Sequence, residues 1–272
     1  MRLATWNVNS VRTRAERVVD WLVRADVDVL AMQEIKCNDT QFPTMVFTAA
    51  GYEVIHHGLD QWNGVAIASR VGIEDAVTGF DGQPAWAGGK AGPVVEARAL
   101  GATCAGVRVW SLYIPNGRNL DDPHYQYKLQ WLAALRDTSA AWLRADPAAQ
   151  IGLTGDWNIA PHDEDVWSMD FFADNTHVSE PERTVFAEIE RSFTDVVRPT
   201  HPGPGVYTYW DYTQLRFPRK EGMRIDFILA SPALAARVTG TEIVRDERKS
   251  GKGRIGSPSD HVPVLADISP IG

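Results

Sequence analysis

The chain has 272 residues, of which 44% are hydrophobic, and its formal net charge is −8. This length and apolar content allow a substantial core in one large domain or two small ones. The acidic balance argues against a polyanionic partner, unless the acids serve a metal and the bases cluster locally. The two cysteines, Cys37 and Cys104, fit neither a metal-binding nor a redox spacing, so a reducing compartment is expected.

Targeting signals are the next feature to consider. No apolar run approaches the roughly 20 residues that a membrane-spanning helix needs, and the polar residues Thr5 and Asn7 come too early for a signal peptide. We therefore expect a soluble, cytoplasmic, monomeric protein with no membrane partner. Candidate site residues extend from Asn7 to His261, so neither half could build the site alone. One domain over residues 1–272 is predicted.

Short apolar runs dominate the predicted elements. Residues 2–8 predict a strand, and Thr13 with Glu16 forms a capping box before a helix. A Gly- and Pro-rich loop is expected over residues 79–93, and Asp121-Asp122-Pro123 begins a second helix. Residues 161–181 are expected to be irregular and residues 183–191 to form a short helix. Further strands are predicted over residues 27–32, 52–56, 65–69, 94–100, 107–114, 151–154, 206–210, 225–230 and 262–268.

The order of these elements indicates the fold class. The chain contains no repeat, no low-complexity linker and no break in composition. Strands outnumber helices, and several neighbouring strands lack an intervening helix, which argues against a purely parallel doubly wound sheet. An α/β sandwich of mixed sheets covered by helices is predicted.

Six short polar signatures stand at the ends of apolar strand-like runs. Such exits can meet at one rim of a core. Carboxylate and amide oxygens gathered there suit Mg²⁺, and a nearby histidine can move protons or hold a phosphate. The pattern indicates metal-assisted phosphoester chemistry. The signatures are Trp6-Asn7-Val8-Asn9, Gln33-Glu34, Tyr113, Gly155-Asp156-Trp157-Asn158, Arg224-Ile225-Asp226 and Ser259-Asp260-His261.

Each signature also has a structural interpretation. Asp156 and Asn158 could simply stabilise a turn, or they could present a proton-relaying carboxylate and a water-orienting amide together. Glu34 alone could be a solvated acid. It becomes a candidate metal ligand if the side-chain oxygen of Asn7 binds the same cation. Tyr113 could donate to a phosphate oxygen or be a core aromatic with a wet hydroxyl.

The Asp260-His261 pair is a stronger signal. The aspartate could supply a metal ligand, and the imidazole could bind phosphate or transfer protons while Asp226 fixes its tautomer. The other six histidines are interpreted as surface or core residues. Basic runs at residues 216–224 and 245–254 could be solvated loops or phosphate contacts. The aromatic cluster at residues 207–212 suits a nucleotide or sugar pocket, although alternate members would belong to the core.

Taken together, seven motifs resemble the exonuclease III family, the class II apurinic/apyrimidinic endonucleases, over nearly the full length. The resemblance implies a four-layer α/β sandwich, with two mixed β-sheets face to face and helices outside. It implies a Mg²⁺-dependent enzyme, with Mn²⁺ as a substitute, that acts on duplex DNA with abasic sites or blocked 3′ ends. The expected reactions are hydrolysis 5′ to an abasic site to leave a 3′-OH, 3′→5′ exonuclease action and 3′-phosphatase action. The motifs are residues 5–10, 33–37, 113–117, 155–161, 207–212, 224–228 and 259–263.

The resemblance also implies roles for individual residues. The catalytic set would be Tyr113, Asp156, Asn158, Asp226 and His261, in which Asp156 activates water or protonates the leaving oxygen and His261 contacts the phosphate. The metal set would be Glu34 as principal ligand with Asn7, Asp260, Asp156 and Asn158. Tyr209, Met223 and Ile225 would line the abasic pocket. DNA contacts would come from Asn116, Trp210, Arg216, Lys249 and Lys252.

Three departures and two alternatives accompany this resemblance. Some relatives carry a different aromatic residue at the position of Tyr209. Met223 makes a softer pocket wall than the leucine or tryptophan of relatives, and Asn9 stands where some relatives have aspartate, which leaves the number of metal ions open. One alternative is another superfamily phosphoesterase, of the phosphoinositide phosphatase or sphingomyelinase type; the segment over residues 207–226 favours the DNA-repair branch. The other is a non-catalytic DNA-binding protein, although every expected catalytic position is filled.

Overall fold

A computed structural model describes residues 1–89, 92–251 and 253–270 of the chain. In chain order the strands are β1 (Arg2–Asn7), β2 (Val29–Gln33), β3 (Glu53–His57), β4 (Val65–Ser69), β5 (Glu74–Thr78), β6 (Ala99–Cys104), β7 (Val107–Tyr113), β8 (Ile151–Asp156), β9 (Thr194–Asp195), β10 (Asp226–Ala230), β11 (Val238–Ile243) and β12 (Val264–Ile268). The helices are α1 (Val11–Arg24), α2 (Thr44–Thr48), α3 (Pro123–Ala145), α4 (Met169–Phe172), α5 (Glu180–Glu190), α6 (Arg216–Arg219) and α7 (Pro232–Ala235).

The strands form two six-stranded mixed sheets of similar design. The first has the order β11-β12-β1-β2-β4-β3, and the second β5-β6-β7-β8-β10-β9. The first contains the parallel pair β1 and β2, and the second the parallel pair β7 and β8, whereas their other neighbours are antiparallel. Helix α1 connects the first parallel pair and α3 the second, as expected for parallel neighbours, which need a crossover connection.

The two sheets pack face to face through apolar side chains. Leu3 and Val29 of the first sheet share a buried cluster with Val109 and Ile228 of the second. Burying each such side chain contributes about 1.5–3 kcal/mol. Successive strand residues point to opposite faces, so the alternate residues are free to face the helices.

Helices cover both outer faces of the sandwich. Trp21 and Leu22 of α1 pack against Leu30 and Met32 on the outer face of the first sheet. Trp131 and other residues of α3, with Phe186 and Ile189 of α5, cover the second sheet. The predicted four-layer α/β sandwich of two mixed sheets is thus confirmed. In the part of the chain that the structure describes, no helix is both long and apolar enough to cross a bilayer.

Several predicted elements differ in the structure. The strand expected over residues 206–210 is absent from both sheets; Tyr209 instead forms isolated bridges with Met223 and His261. The strand expected over residues 94–100 begins only at Ala99, because Val94 is exposed and pairs with a loop residue. Helix α1 begins before its predicted capping box, and the Thr13 hydroxyl donates to the Ser10 carbonyl oxygen.

The strand directions bring distant polar residues to one rim. Asn7 and Tyr113 end β1 and β7, Asp156 ends β8, and Glu34 directly follows β2. The carboxyl ends of the parallel pairs therefore meet at the same edge. Strand β10 runs the opposite way and pairs Asp226 with Asp156, so its first residue reaches that same edge.

Candidate active site

Asn7 lies at the centre of the rim and joins the two sheets. Its Nδ2 donates to Glu34 Oε1 at 2.8 Å and to Asp156 Oδ2 at 2.9 Å. Its Oδ1 accepts the backbone N–H of Asn9 at 3.0 Å. The side chain is fully buried, so these hydrogen bonds hold two carboxylates from different sheets at a fixed separation.

Glu34 occupies a left-handed backbone conformation, with φ of 51°. Such a φ is uncommon for a residue other than glycine, and it turns the carboxylate into the rim after β2. Tyr113 Oη donates to Glu34 Oε1 at 2.9 Å, and Lys36 Nζ lies 2.7 Å from Glu34 Oε2. Burial raises the pKa of Glu34, but the Lys36 charge and the Asn7 hydrogen bond outweigh it, so the pKa is lowered.

The Asp156–Asn158 segment is both a turn and part of the rim. Asp156 Oδ1 accepts the backbone N–H of Asn158 at 2.9 Å, and Asn158 has a φ of 51°. Asn158 Nδ2 donates to the Ile114 carbonyl oxygen at 3.0 Å, and its Oδ1 accepts Asn116 Nδ2 at 3.1 Å. The turn therefore presents a carboxylate and an oriented amide side by side.

His261 and Asp226 form a buried pair beside this turn. His261 Nδ1 lies 2.9 Å from Asp226 Oδ2, and the Thr208 hydroxyl donates to the same oxygen at 2.6 Å. His261 Nε2 faces Asp156 Oδ2 at 3.7 Å. Burial lowers the pKa of His261, but the charges of Asp226 and Asp156 outweigh it and raise the pKa above its ordinary value. The neighbouring carboxylates therefore favour the protonated imidazole.

Asp156 has its pKa displaced in the opposite sense from Glu34. Burial is the largest cause and raises the pKa; His261 lowers it, while Asp226 and Glu34 raise it further, and the net pKa is raised. Glu34, Asp156 and His261 each offer a ligand atom within 4.8 Å of the others. Neighbouring ionisable groups with different proton affinities can divide the roles of charge binding and proton transfer.

The Asp260 side chain does not hydrogen-bond to Glu34, Asp156 or His261 in this cluster, but it is connected to Glu34 by other polar residues. Its Oδ1 accepts Asn9 Nδ2 at 3.0 Å and the Ser259 hydroxyl at 3.2 Å. Asn9 Oδ1 in turn accepts Lys36 Nζ at 2.5 Å, and Lys36 pairs with Glu34. Asp260 is therefore linked to Glu34 through a chain of hydrogen bonds rather than by direct contact.

A small cavity adjoins His261 on the side of the aromatic segment. The Tyr209 ring lies 4.8 Å from the His261 ring, and Tyr209 and Met223 line a cavity of about 250 Å³. Ile225 is buried in the apolar cluster behind Met223. Arg216 also lines the cavity, with its guanidinium 4.8 Å from the Phe171 ring centroid. The three residues expected to form the abasic pocket thus lie together.

The remaining predicted DNA contacts are dispersed. Trp210 is 1% exposed and packs against Phe217 in a separate apolar cluster, away from the described lining of the cavity. Lys249 is half-exposed, pairs with Asp246 at 2.6 Å, and lies beside Tyr212 in a surface groove. Lys252 lies outside the described residues. Trp210 is buried because the aromatic segment turns inward at that position.

Two supporting groups carried no recognisable sequence signal. His177, interpreted as a surface or core residue, lies 3.2 Å from Asn116 Nδ2 through its Nε2. Burial lowers its pKa to about 4, so the neutral ring accepts this hydrogen bond. Lys128 is fully buried, pairs with Glu182, and donates to the backbone oxygens of Asn158 at 2.7 Å and Asn116 at 3.3 Å. His177 and Lys128 thus hold Asn116 and Asn158 in place. Their positions next to these asparagines result from tertiary folding, so no local sequence pattern predicts them.

The donor chemistry of the rim fits a divalent cation. Glu34 and Asp156 supply carboxylate oxygens, and the amide oxygen of Asn158 lies nearby, whereas Asn7 turns its amide nitrogen towards the two carboxylates. Hard oxygen ligands of this kind suit Mg²⁺ and Mn²⁺, whereas softer metals prefer thiolates. The two cysteines are both buried elsewhere in the apolar core.

The sandwich fold and the acidic rim define a metal-dependent hydrolase as the class of protein. The sequence profile of the family described as Endonuclease/Exonuclease/phosphatase matches residues 4–261, and the chain belongs to that family. This agrees with the resemblance found in the motifs.

Named relatives and solved structures cover nearly the whole chain. Exodeoxyribonuclease III from Haemophilus influenzae is 26% identical over 98% of this chain and 100% of its own length. The 3′ phosphatase NExo from Neisseria, solved with a product DNA hairpin, has a TM-score of 0.89 at 34% identity and covers 99% of both chains. An AP endonuclease from Archaeoglobus fulgidus has a TM-score of 0.86 at 36% identity, over 98% of this chain and 99% of its own.

Proposed function

We propose that this chain is a Mg²⁺-dependent DNA repair nuclease. It hydrolyses the phosphodiester 5′ to an abasic site to leave a 3′-OH, and it processes 3′ ends as a 3′→5′ exonuclease and 3′-phosphatase. The convergence of Glu34, Asp156 and His261 within 4.8 Å, beside a cavity, carries this proposal. Residues 1–272 would form one catalytic domain that acts as a monomer in the cytoplasm.

Metal binding falls to the oxygen donors of the rim. Bound Mg²⁺, or Mn²⁺ in its place, would stabilise negative charge on the phosphoryl and leaving oxygens. Glu34 would be the principal ligand, because its lowered pKa keeps it ionised and its side chain is 16% exposed. The full set of proposed ligands is Asn7, Glu34, Asp156, Asn158 and Asp260.

Proton transfer falls to Asp156. Its raised pKa allows it to hold or release a proton at Oδ2 near neutral pH, as a general acid or base requires. Asn158, fixed by Asn116 and Ile114, would orient the attacking water. An in-line attack needs this positioning, because a nucleophile held in the right geometry loses little entropy in the transition state.

Phosphate binding falls to His261 and Tyr113. The protonated imidazole, oriented by Asp226, would donate from Nε2 to a phosphate oxygen where charge develops. Burial, and next the Glu34 charge, raise the pKa of Tyr113 well above its ordinary value, so its hydroxyl stays a donor. Both groups face the rim from opposite sheets.

Damage recognition falls to the cavity beside His261. Tyr209 and Met223 give it an aromatic and an apolar wall, with Ile225 buried behind Met223, and these walls suit a sugar without its base. Swinging out a nucleotide that lacks a base costs less unstacking, by a few kcal/mol at most, and this contributes to selectivity. The names of the two structural neighbours, a 3′ phosphatase and an AP endonuclease, support both proposed substrate types.

The test is product analysis on one set of substrates with matched sequences. Duplexes with an abasic site, a 3′-phosphate and a recessed 3′-OH would be incubated with Mg²⁺ or with EDTA. We expect cleavage 5′ to the abasic site and 3′-end processing, each lost in EDTA. A phosphoinositide serves as the comparison substrate. Faster hydrolysis of that lipid than of any duplex would favour the other superfamily branch, and metal-independent retention of DNA without nicking would favour a binding protein.

A further inference from the structure

A second, larger cavity opens beside Tyr113, on the side of the catalytic centre away from Tyr209. It has a volume of about 540 Å³. Tyr113 and Asn116 line it, and these same side chains hydrogen-bond to Glu34 and Asn158. The cavity and the proposed catalytic centre therefore share Tyr113 and Asn116 as a common wall, and none of the proposed catalytic steps uses the cavity.

Its outer walls are aromatic and apolar. Trp62 is 63% exposed and Leu59 47% exposed, unusual values for such large side chains. Trp86 forms an isolated β-bridge with Val94, and its ring lies 4.9 Å from the His124 ring. Trp86 is thus held in the wall of the cavity, whereas the Trp62 ring is exposed to solvent at its edge. Exposed apolar surface of this kind marks a binding site.

Its polar groups suit a nucleic-acid ligand. The Arg118 guanidinium lies 5.6 Å from the Trp86 ring centroid, with its side chain 57% exposed. At the cavity floor, Glu96 accepts Asn63 Nδ2 at 2.9 Å and pairs with Arg98 at 2.6 Å. Arg98 therefore neutralises Glu96. Arg118 pairs with Asp122 only at 3.5 Å and at the surface, so a phosphate can still reach its guanidinium. Aromatic faces beside an arginine bind unstacked bases with little sequence preference.

We propose that this cavity, which we call the tryptophan pocket and define by Leu59, Trp62, Trp86, Val94 and Arg118, binds the unpaired base opposite the lesion. This inference rests on the proposed function. An abasic nucleotide leaves the base across from it without a partner, so that base can leave the stack at low cost. Trp62 stacks on the base, and Arg118 contacts the adjoining phosphate. Binding the orphan base stabilises the opened duplex while the abasic sugar enters the cavity beside Tyr209.

The experiment uses duplexes in which 2-aminopurine, a fluorescent adenine analogue, stands either opposite the abasic site or paired three positions away. Stacking on tryptophan quenches its fluorescence. We expect the full-length protein, with Ca²⁺ in place of Mg²⁺ to limit cleavage, to quench the orphan 2-aminopurine and leave the paired one unchanged. Trp62→Ala should abolish this quenching and weaken binding of abasic duplex by about tenfold, and Trp62→Phe should restore much of both.

Met45→Ala provides the control, because Met45 is 83% exposed on α2 and lies outside the pocket lining. Quenching that survives Trp62→Ala, or that appears only at the paired position, overturns the inference. Cleavage assays in Mg²⁺ separate this result from the proposed function. If the protein cuts abasic duplex but shows no Trp62-dependent quenching, the proposed activity is supported and the proposed role of the tryptophan pocket is wrong. If it shows Trp62-dependent quenching but does not cut, the role of the pocket is supported and the proposed activity is wrong.

Discussion

Two clusters of buried charged residues, one around Arg224 and one around Asp226, lie side by side at the start of β10. They differ in the ratio of acidic to basic groups. In the first, Arg224 binds Asp165 at 2.7 Å and Asp195 at 2.6 Å, and Arg198 also pairs with Asp165. In the second, Asp226 faces His261 beside further carboxylates. The first cluster matches two arginines with two aspartates.

The second cluster has more acid than base. Glu34, Asp156 and Asp226 face His261, with Lys36 at the margin. A balanced, closed cluster stabilises one arrangement of the chain, whereas an acidic, partly open one attracts a cation and shifts proton affinities. The comparison indicates that charge balance, rather than burial, separates the structural cluster from the proposed catalytic one. Four substitutions test this distinction.

Asp156→Asn should have the largest effect on catalysis. The amide keeps an oxygen for the Asn158 N–H, but it loses the acceptor for Asn7 Nδ2 and cannot carry the proton. We expect kcat to fall by about 10³-fold or more and duplex binding to change little, with a loss of stability of about 1–3 kcal/mol from the broken Asn7 hydrogen bond. Single-turnover cleavage, circular dichroism and a binding titration would measure these. Wild-type turnover in the variant would remove Asp156 from the proposed mechanism.

Arg224→Met should act on stability instead. It leaves Asp165 and Asp195 buried without their main counter-charge, so the free energy of unfolding should fall by about 3–5 kcal/mol. Urea denaturation measures the change. Arg136→Met is the matched control, because the Arg136 side chain is 33% exposed where it pairs with Glu188, and an exposed pair contributes at most about 1 kcal/mol. Equal losses in both variants would contradict the structural role of the first cluster.

Glu34→Gln should separate cation binding from packing. The amide can still accept hydrogen bonds from Asn7 and Tyr113, but its charge is gone. We expect the Mg²⁺ concentration for half-maximal cleavage to rise by about tenfold or more, with little change in thermal stability. Glu53→Gln, an exposed position on β3, serves as the control. An unchanged Mg²⁺ titration would argue against Glu34 as a ligand.

Glu190→Gln should have the smallest effect, at the margin of the first cluster. Burial first, and then Asp195, raise the pKa of Glu190 to about 7, well above the roughly 4.3 of an unfolded glutamate. A raised folded-state pKa means that the Glu190 contribution is present at low pH and is lost between about pH 4 and 7.

The variant should therefore melt at a similar temperature to wild type at pH 4.5 and at a higher one at pH 8. Calorimetry across this range measures the difference, with Glu180→Gln on the same helix as control. A difference in melting temperature that is the same at both pH values would show that Glu190 does not titrate as proposed.

The sequence predicted the central strands and the residues at their ends. Buried strands such as β4 and β8 read as continuous apolar runs, and the polar residue that follows each run reaches the rim. The pairing of Asn7 with both Glu34 and Asp156 follows from that rule, although the sequence suggested its oxygen, rather than its nitrogen, as the group turned towards them.

Edge strands and irregular segments were harder to predict. Strands β5, β9 and β11 were missed, and each ends a sheet; β5 is exposed along its whole length, so it shows no apolar alternation. Tyr209 is predicted within a strand over residues 206–210, yet it forms only isolated bridges with Met223 and His261. The start of α5 was also misplaced, although Ser179 and Glu182 form a capping box there. Contacts between Lys128, Glu182 and the rim asparagines depend on tertiary packing, which local sequence does not encode.

The pairing of β12 with β1 has a consequence for the timing of activity. Asp260 and His261 directly precede β12, and β12 reaches the centre of the first sheet only by binding beside β1. Asn7 at the end of β1 emerges from the ribosome well before His261. If His261 acts as proposed, a chain in which β12 has not yet paired with β1 cannot cut nucleic acid, so activity begins only with that pairing.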